Sequence, residues 1–397
     1  MTSKIELDGK PVEQITAFLV HRGSHNTPNC LAENEGKCFI GSYVLGMGFT
    51  FDDTDSSGLA SSVEEMHKLI KRNPANQQRI FPYMGGEDLL KDPQQAVSRY
   101  VINFADFSLD EARDWPDLLN IVEQRVRPAR EKLRDNADGR RRKHRWWQWG
   151  RYTGSLFQAL APLERTIVCA RIGKAFAFSV LPSDIVYSEK TVVFPSESTS
   201  FFASLQSRPH EVWTRFFSST LGDTLQYTPS ICFETFPFPH CAENAQLEAI
   251  GNEYIETRYS LMCANAEGIT DTYNRFHSSD ERDEGILELR RLHGLMDGAV
   301  LRAYGWDDLA EQAAKPDFCQ FLLDYEEEED DEPGSKKSKK KKPWRYRWPD
   351  DFRDEVLARL LGLNEQRHKE EQLTGMSEPV NKQSKTAKAS NTQSELF

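Results

Sequence analysis

Hydrophobic and polar positions follow two periods along the chain, and the change between them divides it. In the first half the apolar residues alternate or come in short runs. Residues 39–52 (FIGSYVLGMGFTFD) predict a strand and a turn, and residues 79–84 and 99–104 predict two more strands. Helices interrupt them: a short one over residues 12–21, and one over residues 60–71 with Ser61 or Ser62 as N-cap. A long amphipathic helix is predicted from Ser108, where S-L-D-E makes a capping box with Glu111. A second block begins at Trp146, with a helix over 156–163 and strands over 166–170, 175–180, 184–187 and 190–194. Helices over 198–208 and 210–217 follow, and the prolines of residues 233–239 (FETFPFP) close off regular structure.

From residue 244 the period becomes helical. Residues 245–266, 284–304 and 306–314 carry apolar side chains at i, i+3 and i+4 with charged outer faces. An acidic block followed by a lysine block, residues 326–343, has the composition of a disordered linker. Residues 344–370 read as an ordered island ending in a helix, and 371–397 as a disordered polar tail. The expected fold class is α+β: a mixed-sheet domain, then a C-terminal helical domain, with the disordered charged linker and tail.

Composition narrows the function classes. A 38% hydrophobic content over 397 residues supports more than one core. Mean hydropathy is −0.64, no apolar run approaches the roughly 20 residues that span a bilayer, and no signal-peptide core opens the chain. The expectation is a cytoplasmic protein with no membrane partner. The seven cysteines never form a C-x-x-C pair and read as free thiols rather than metal ligands.

The net charge of −12 argues against a general nucleic-acid binder, but its distribution changes the picture. Residues 101–220 hold 18 Lys/Arg against 14 Asp/Glu, a net of +4, whereas residues 221–335 hold 7 against 26, a net of −19. Only the first segment suits a phosphate backbone.

Catalytic signatures are missing from this sequence. Val44–Phe49 (VLGMGF) superficially resembles a glycine-rich S-adenosylmethionine loop, but there is no acidic residue at a following strand end and no N-P-P-[YF] or D-P-P-[YFW] tetrapeptide to hold a flipped base. The carboxylate fragments around Glu189-Lys190 and Asp350-Asp351 lie far apart, and His21 and His25 lack a third ligand. No catalytic, cofactor-binding or metal-binding residue is assigned.

What remains is binding chemistry. Arg140, Arg141, Arg142, Lys143, Arg145 and Arg151 surround Trp146, Trp147 and Trp149 within twelve residues. The cations suit DNA phosphates, and the indoles either stack on bases or anchor a core. Arg171 and Lys174, between two predicted strands, form another basic spot. Residues 218–231 (SSTLGDTLQYTPSI) are dense in short polar side chains, and Ser219, Thr220, Asp223 and Gln226 are of the types that read base edges. The alternative for this run is an ordinary capped loop. The lysine run 336–342 is either a solvated tract or a mobile tether to nucleic acid, and the acidic run beside it can pair with it when DNA is absent.

Long strings in a fixed order carry a resemblance. GKCFIGSYVLGMGFTFDD (36–53), NQQRIFPYMGGEDL (76–89), RYVINFADFSLDEARDWPDLLNIVE (99–123), WWQWGR (146–151), ERTIVCARIGKAFAFSVLP (164–182), IVYSEKTVVFP (185–195), LQSRPHEVWTRFFSSTL (205–221), YTPSICFETFPFP (227–239), LRRLHGLMDGAVLRAYGW (289–306) and WPDDFRDEVLARLLGLN (348–364) belong together. In this order they resemble the C-terminal third of large adenine-specific DNA methyltransferases of the MmeI-like restriction–modification and phage-defence group. The resemblance implies a connector over residues 1–30, a target-recognition domain over 31–240, and a helical part beginning with residues 244–325. It also implies that the base-reading positions cluster from Arg215 to Tyr227, adding those two residues to the candidates. S-adenosylmethionine and the methylation chemistry would belong to a partner catalytic domain that this sequence lacks, either a separate methyltransferase chain in a split enzyme or the lost part of a truncated reading frame. The expected partner is double-stranded DNA. A stand-alone DNA-binding regulator or decoy is the competing expectation, and a complete but divergent methyltransferase the third.

Overall fold

The computed structural model describes residues 5–7, 10–12, 15–16, 27–218, 220–221, 224–240, 244–323 and 344–375. Two four-stranded sheets organise the first 240 residues. One has the order Val186–Tyr187, Ile80–Met84, Arg99–Ile102, Thr50–Phe51, and it is mixed: Val186–Tyr187 runs parallel to Ile80–Met84 and the remaining pairs are antiparallel. The other, Phe39–Ile40, Thr191–Phe194, Arg165–Ala170, Phe178–Pro182, is antiparallel throughout. The bend between Val186–Tyr187 and Thr191–Phe194 therefore joins the sheets, and Gly41 makes the junction close. A Cβ there would lie 2.1 Å from the Ser188 carbonyl oxygen and 2.6 Å from that of Tyr187, so only glycine admits this approach.

Ser62 caps the Val63–Arg72 helix by accepting from the Glu65 N–H, and strands form at Ile80–Met84 and Arg99–Ile102 where the pattern predicts them. The capping box of Ser108 and Glu111 is also present. The long helix expected beyond it is not. The chain stops at Ala112, restarts as Pro116–Arg125 and again as Arg127–Glu131. Pro116 and Pro128 each supply no backbone N–H and bias the preceding residue away from helix, so the amphipathic stripe is carried by three short pieces. The helix expected over residues 12–21 is replaced at its start by the strand Lys10–Val12, and residues 13–14 and 17–21 lie outside the described residues.

The second block does not begin at Trp146. Trp146, Trp147 and Trp149 are buried with Phe49, Phe51, Val101, Leu118 and Val122 in the core under the first sheet. Trp147 donates its N–H to the Phe107 carbonyl and Trp149 to that of Ile102, each at 2.8 Å. These indoles anchor a core and are not free to stack on bases.

A second core runs from the Arg165–Ala170 strand through the Thr199–Gln206 and Arg208–Phe217 helices into the helical region, Ala245–Asn265, Ile269–Phe276 and Glu284–Ala303. Residues 344–370 are no island. Trp344–Arg347 pairs antiparallel with Gln320–Leu323, and the helix Asp350–Thr374 packs Phe352, Val356, Leu357 and Leu360 into the same core. That helix continues four residues beyond the expected boundary, to a left-handed Gly375 at its C-cap. Asn364 ties it back by donating to the carbonyls of Thr235 (2.7 Å) and Asn29 (2.9 Å). The 326–343 linker and the tail beyond residue 375 lie outside the described residues.

Candidate nucleic-acid interface

The basic segment is held in place by an arginine that the sequence does not single out. Arg130, on the short helix Arg127–Glu131, is buried and has no carboxylate partner in the structure as described. Its Nη1 donates to the carbonyls of Trp146 (3.2 Å) and Arg145 (3.3 Å), and its Nη2 to that of Leu45 (3.4 Å). Burial, with Arg142 and Arg141 nearby, pushes its pKa down to about 10. It remains charged at neutral pH, and carbonyl dipoles rather than an anion hold it.

Around this clasp the helix Ala137–His144, capped by Asn136, presents the cluster. Arg140 pairs with Asp135 (2.9 Å), while Arg141 and Arg142 share Asp138 (3.0 and 2.7 Å). Arg140, Arg141, Arg145 and Arg151 are exposed, and Arg142 and Lys143 are half-buried. Ion pairs this exposed stabilise by about 0–1 kcal/mol, so a phosphate can replace their carboxylates at little cost.

Tyr43 connects this cluster to the other basic spot. Its carbonyl accepts from the Arg151 N–H at 3.0 Å, and its hydroxyl lies 3.4 Å from Arg171 Nη1. Beyond Arg171 a three-stranded sheet forms in the order Thr220–Leu221, Thr224–Gln226, Ile172–Gly173. Gln226 pairs with Ile172 and Leu225 with Gly173, both antiparallel. Arg171 and Lys174 and the Thr224–Gln226 strand, about fifty residues apart in sequence, are thus brought side by side. Leu225 is buried, so Thr224 and Gln226 share the opposite, outward face. Ile172 beside them is 50% exposed. Neither Tyr43, Thr224 nor Ile172 was a sequence candidate; an isoleucine set between Arg171 and Lys174 was the available signal.

The remaining base-reading candidates fare differently. Ser219 and Asp223 lie outside the described residues, and Thr220 sits on the outer strand of the small sheet. Arg215 is drawn into another site: it is on the last turn of Arg208–Phe217, pairs with Glu211 at 2.8 Å and lines a cavity with Arg347 and Trp348. Tyr227 is a core residue, 3% exposed and packed against Phe178 and Phe194, so its ring cannot reach a base.

The Tyr227 hydroxyl lies 3.1 Å from His210 Nε2, and His210 Nδ1 lies 2.8 Å from the Leu205 carbonyl. Nε2 also lies 3.2 Å from the Cys232 carbonyl, so each ring nitrogen faces an acceptor and the neutral ring, with its single N–H, donates to one of the two. Burial pushes the His210 pKa down to about 4, and burial also lowers those of His277 and His293. A histidine depressed in the fold is neutral there, while the unfolded chain takes up its proton near pH 6.5. Stability is therefore full above about pH 6.5 and is lost as pH falls toward 4, by about 3 kcal/mol for His210 alone. Urea unfolding at pH 7.5, 6 and 5 should show a progressive fall, smaller in His210→Gln. A stability unchanged from pH 7.5 to 5 would contradict the burial of these rings.

The glycine run lies in a tight, packed turn. Met47–Phe49 is a single 3₁₀ turn leading into the strand Thr50–Phe51, with no helix opening on it. A Cβ on Gly48 would meet Arg125 at 2.6 Å and Val126 at 2.9 Å, so that glycine serves packing. Among the described residues no group of three or more His, Cys, Asp and Glu is placed to hold a metal ion, and no helix is long and apolar enough to cross a membrane.

One mixed and one antiparallel sheet, a polar strand pair beside basic loops, and a helical buttress make up the described fold. A family model described as "MmeI, target recognition domain" matches residues 40–240, just over half of the chain, and the chain belongs to that family. Among solved structures it is similar to the Type IIL restriction–modification enzyme MmeI in complex with DNA, with a TM-score of 0.55 and 16% identity over 90% of this chain. That match spans 39% of the MmeI chain, and at this identity it speaks for the fold. No curated protein matches.

Proposed function

We propose that the chain reads duplex DNA sequence for a restriction–modification enzyme. The observation that carries this is the small sheet in which Thr224 and Gln226 face outward beside Arg171 and Lys174, continuous through Tyr43 with Arg151. Cations that hold the backbone flank side chains able to bond base edges, the division of labour that sequence reading needs. Ile172 adds an apolar contact of the kind that meets a thymine methyl. Membership of the target-recognition family supports the reading.

In its finer form, the reaction served is N6-adenine methylation in the cytoplasm. A partner catalytic domain, on this polypeptide or another, would supply S-adenosylmethionine and the base-flipping pocket. This chain supplies register and sequence choice.

The test is duplex binding by the full chain across a salt series. Binding should weaken steeply with salt, and Arg151→Gln and Lys174→Gln should each lower the log–log slope by about 0.9, one phosphate contact apiece. Slopes identical to wild type in both variants would remove this face from the interface.

A further inference from the structure

Between the Arg208–Phe217 helix, the Trp344–Arg347 strand and the start of Asp350–Thr374 lies a cavity walled by Arg208, Arg215, Arg345, Arg347 and Arg353. Among the described residues Glu211 is its one carboxylate. Asp297, which pairs with Arg208, Asp350, which pairs with Arg347 and Arg353, and Asp354, which pairs with Arg353, do not line it. Water-sized groups have about 30 Å³ for their centres, more than the ~10–15 Å³ that one water needs.

Two further observations point to an anion. Trp348 lines the cavity, is 1% exposed, and its Nε1–H finds no acceptor among the described residues. Arg347 Nε is likewise buried without one. An indole N–H can only donate, so such a group awaits an oxygen. His277, on the same wall, accepts the Tyr346 N–H at Nδ1 (3.1 Å), and its imidazole is held neutral by burial and by repulsion from Arg345, Arg215, Arg208 and Arg290.

We propose that this cavity binds a phosphoryl group, with the guanidinium forks and the Trp348 N–H as its donors. Planar guanidinium groups match the oxygens of a tetrahedral phosphate two at a time, whereas chloride offers no such geometry. The phosphoryl group can be a DNA backbone phosphate or belong to a soluble phosphate ester. The site does not depend on the DNA-reading face proposed above.

The test titrates the full chain with sodium pyrophosphate at constant ionic strength, in a buffer free of phosphate. Saturable one-to-one binding is expected by calorimetry, weakened at least tenfold (about 1.4 kcal/mol) in the R347Q/R353Q double variant. Should that variant not fold, the wild-type indole N–H resonance of Trp348, assigned with Trp348→Phe, reads the same site and should move downfield on titration. If pyrophosphate does not saturate, if the double variant binds equally well, or if the Trp348 resonance stays put, the proposal falls. The same holds if sodium chloride at matched ionic strength gives the same thermal shift. Competition then separates the sources: a 20-base-pair duplex that displaces pyrophosphate marks a backbone contact, and simultaneous binding marks a soluble ligand. Salt-dependent DNA binding without any pyrophosphate binding would sink this site while leaving the DNA-reading face intact.

Discussion

Replacing Arg208 with methionine should destabilise the folded chain by about 3–5 kcal/mol, because it strands a charge that has no access to water. Asp297, on the Glu284–Ala303 helix, is fully buried, and Arg208 is 3% exposed. Arg208 Nη1 bonds Asp297 Oδ2 at 2.6 Å, and the Arg208 backbone N–H donates to Oδ1 at 2.8 Å. One carboxylate thus neutralises a guanidinium and accepts a free N–H in the first turn of the Arg208–Phe217 helix, and it joins the recognition region to the helical region. Burial already lifts the Asp297 pKa to about 6 against the pull of Arg208. Without the arginine the carboxyl would take a proton or force the two helices apart. R208M/D297N should recover most of the loss, since the amide oxygen can still accept the backbone N–H and no charge remains. Urea midpoints of the two single variants and the double variant give the coupling directly. A loss below 1 kcal/mol in Arg208→Met would show that the pair is not a closed, dry contact.

This pair also shows where the sequence stops being legible. An arginine in S-R-P-H-E reads as solvated, because its acid lies 89 residues away. Arg130 is hidden in the same manner, since its partners are carbonyls that arrive only with the fold. Local chemistry was readable: Ser62 caps its helix and Ser108 makes its box with Glu111 because both depend on neighbours three residues on. Pairings across distance were not. The Gln320–Leu323 and Trp344–Arg347 strands flank a charged run that reads as a break. At the candidate interface the basic segments and the polar run were each visible as composition. Their union through Gln226 and Ile172 was not, and neither was the burial of Tyr227, whose hydroxyl has the same pattern whether it faces a base or His210.

Removing the outward side chains of the Thr224–Gln226 strand should relax sequence preference at two base pairs while leaving general DNA affinity nearly unchanged. Alternate strand residues stand about 6.7 Å apart on one face, and base pairs stack at about 3.4 Å, so Thr224 and Gln226 match positions two steps apart. Gln226 carries both a donor and an acceptor, the pair that adenine presents in the major groove, and Thr224 offers a hydroxyl to either partner of a base pair. Once the preferred duplex is selected from a randomised pool, Gln226→Ala should cost about 1–3 kcal/mol there, roughly 5- to 150-fold, and relax choice at one base pair. Thr224→Ala should relax a second position two base pairs away, and the double variant both, as independent sites add. Arg151→Gln should instead lower affinity for every duplex alike, because a phosphate contact carries no sequence. If T224A/Q226A selects the same sequence as the wild type with the same ratio over random duplexes, base reading lies elsewhere on the chain. The backbone contacts of Arg151 and Lys174 would still stand on their own salt dependence.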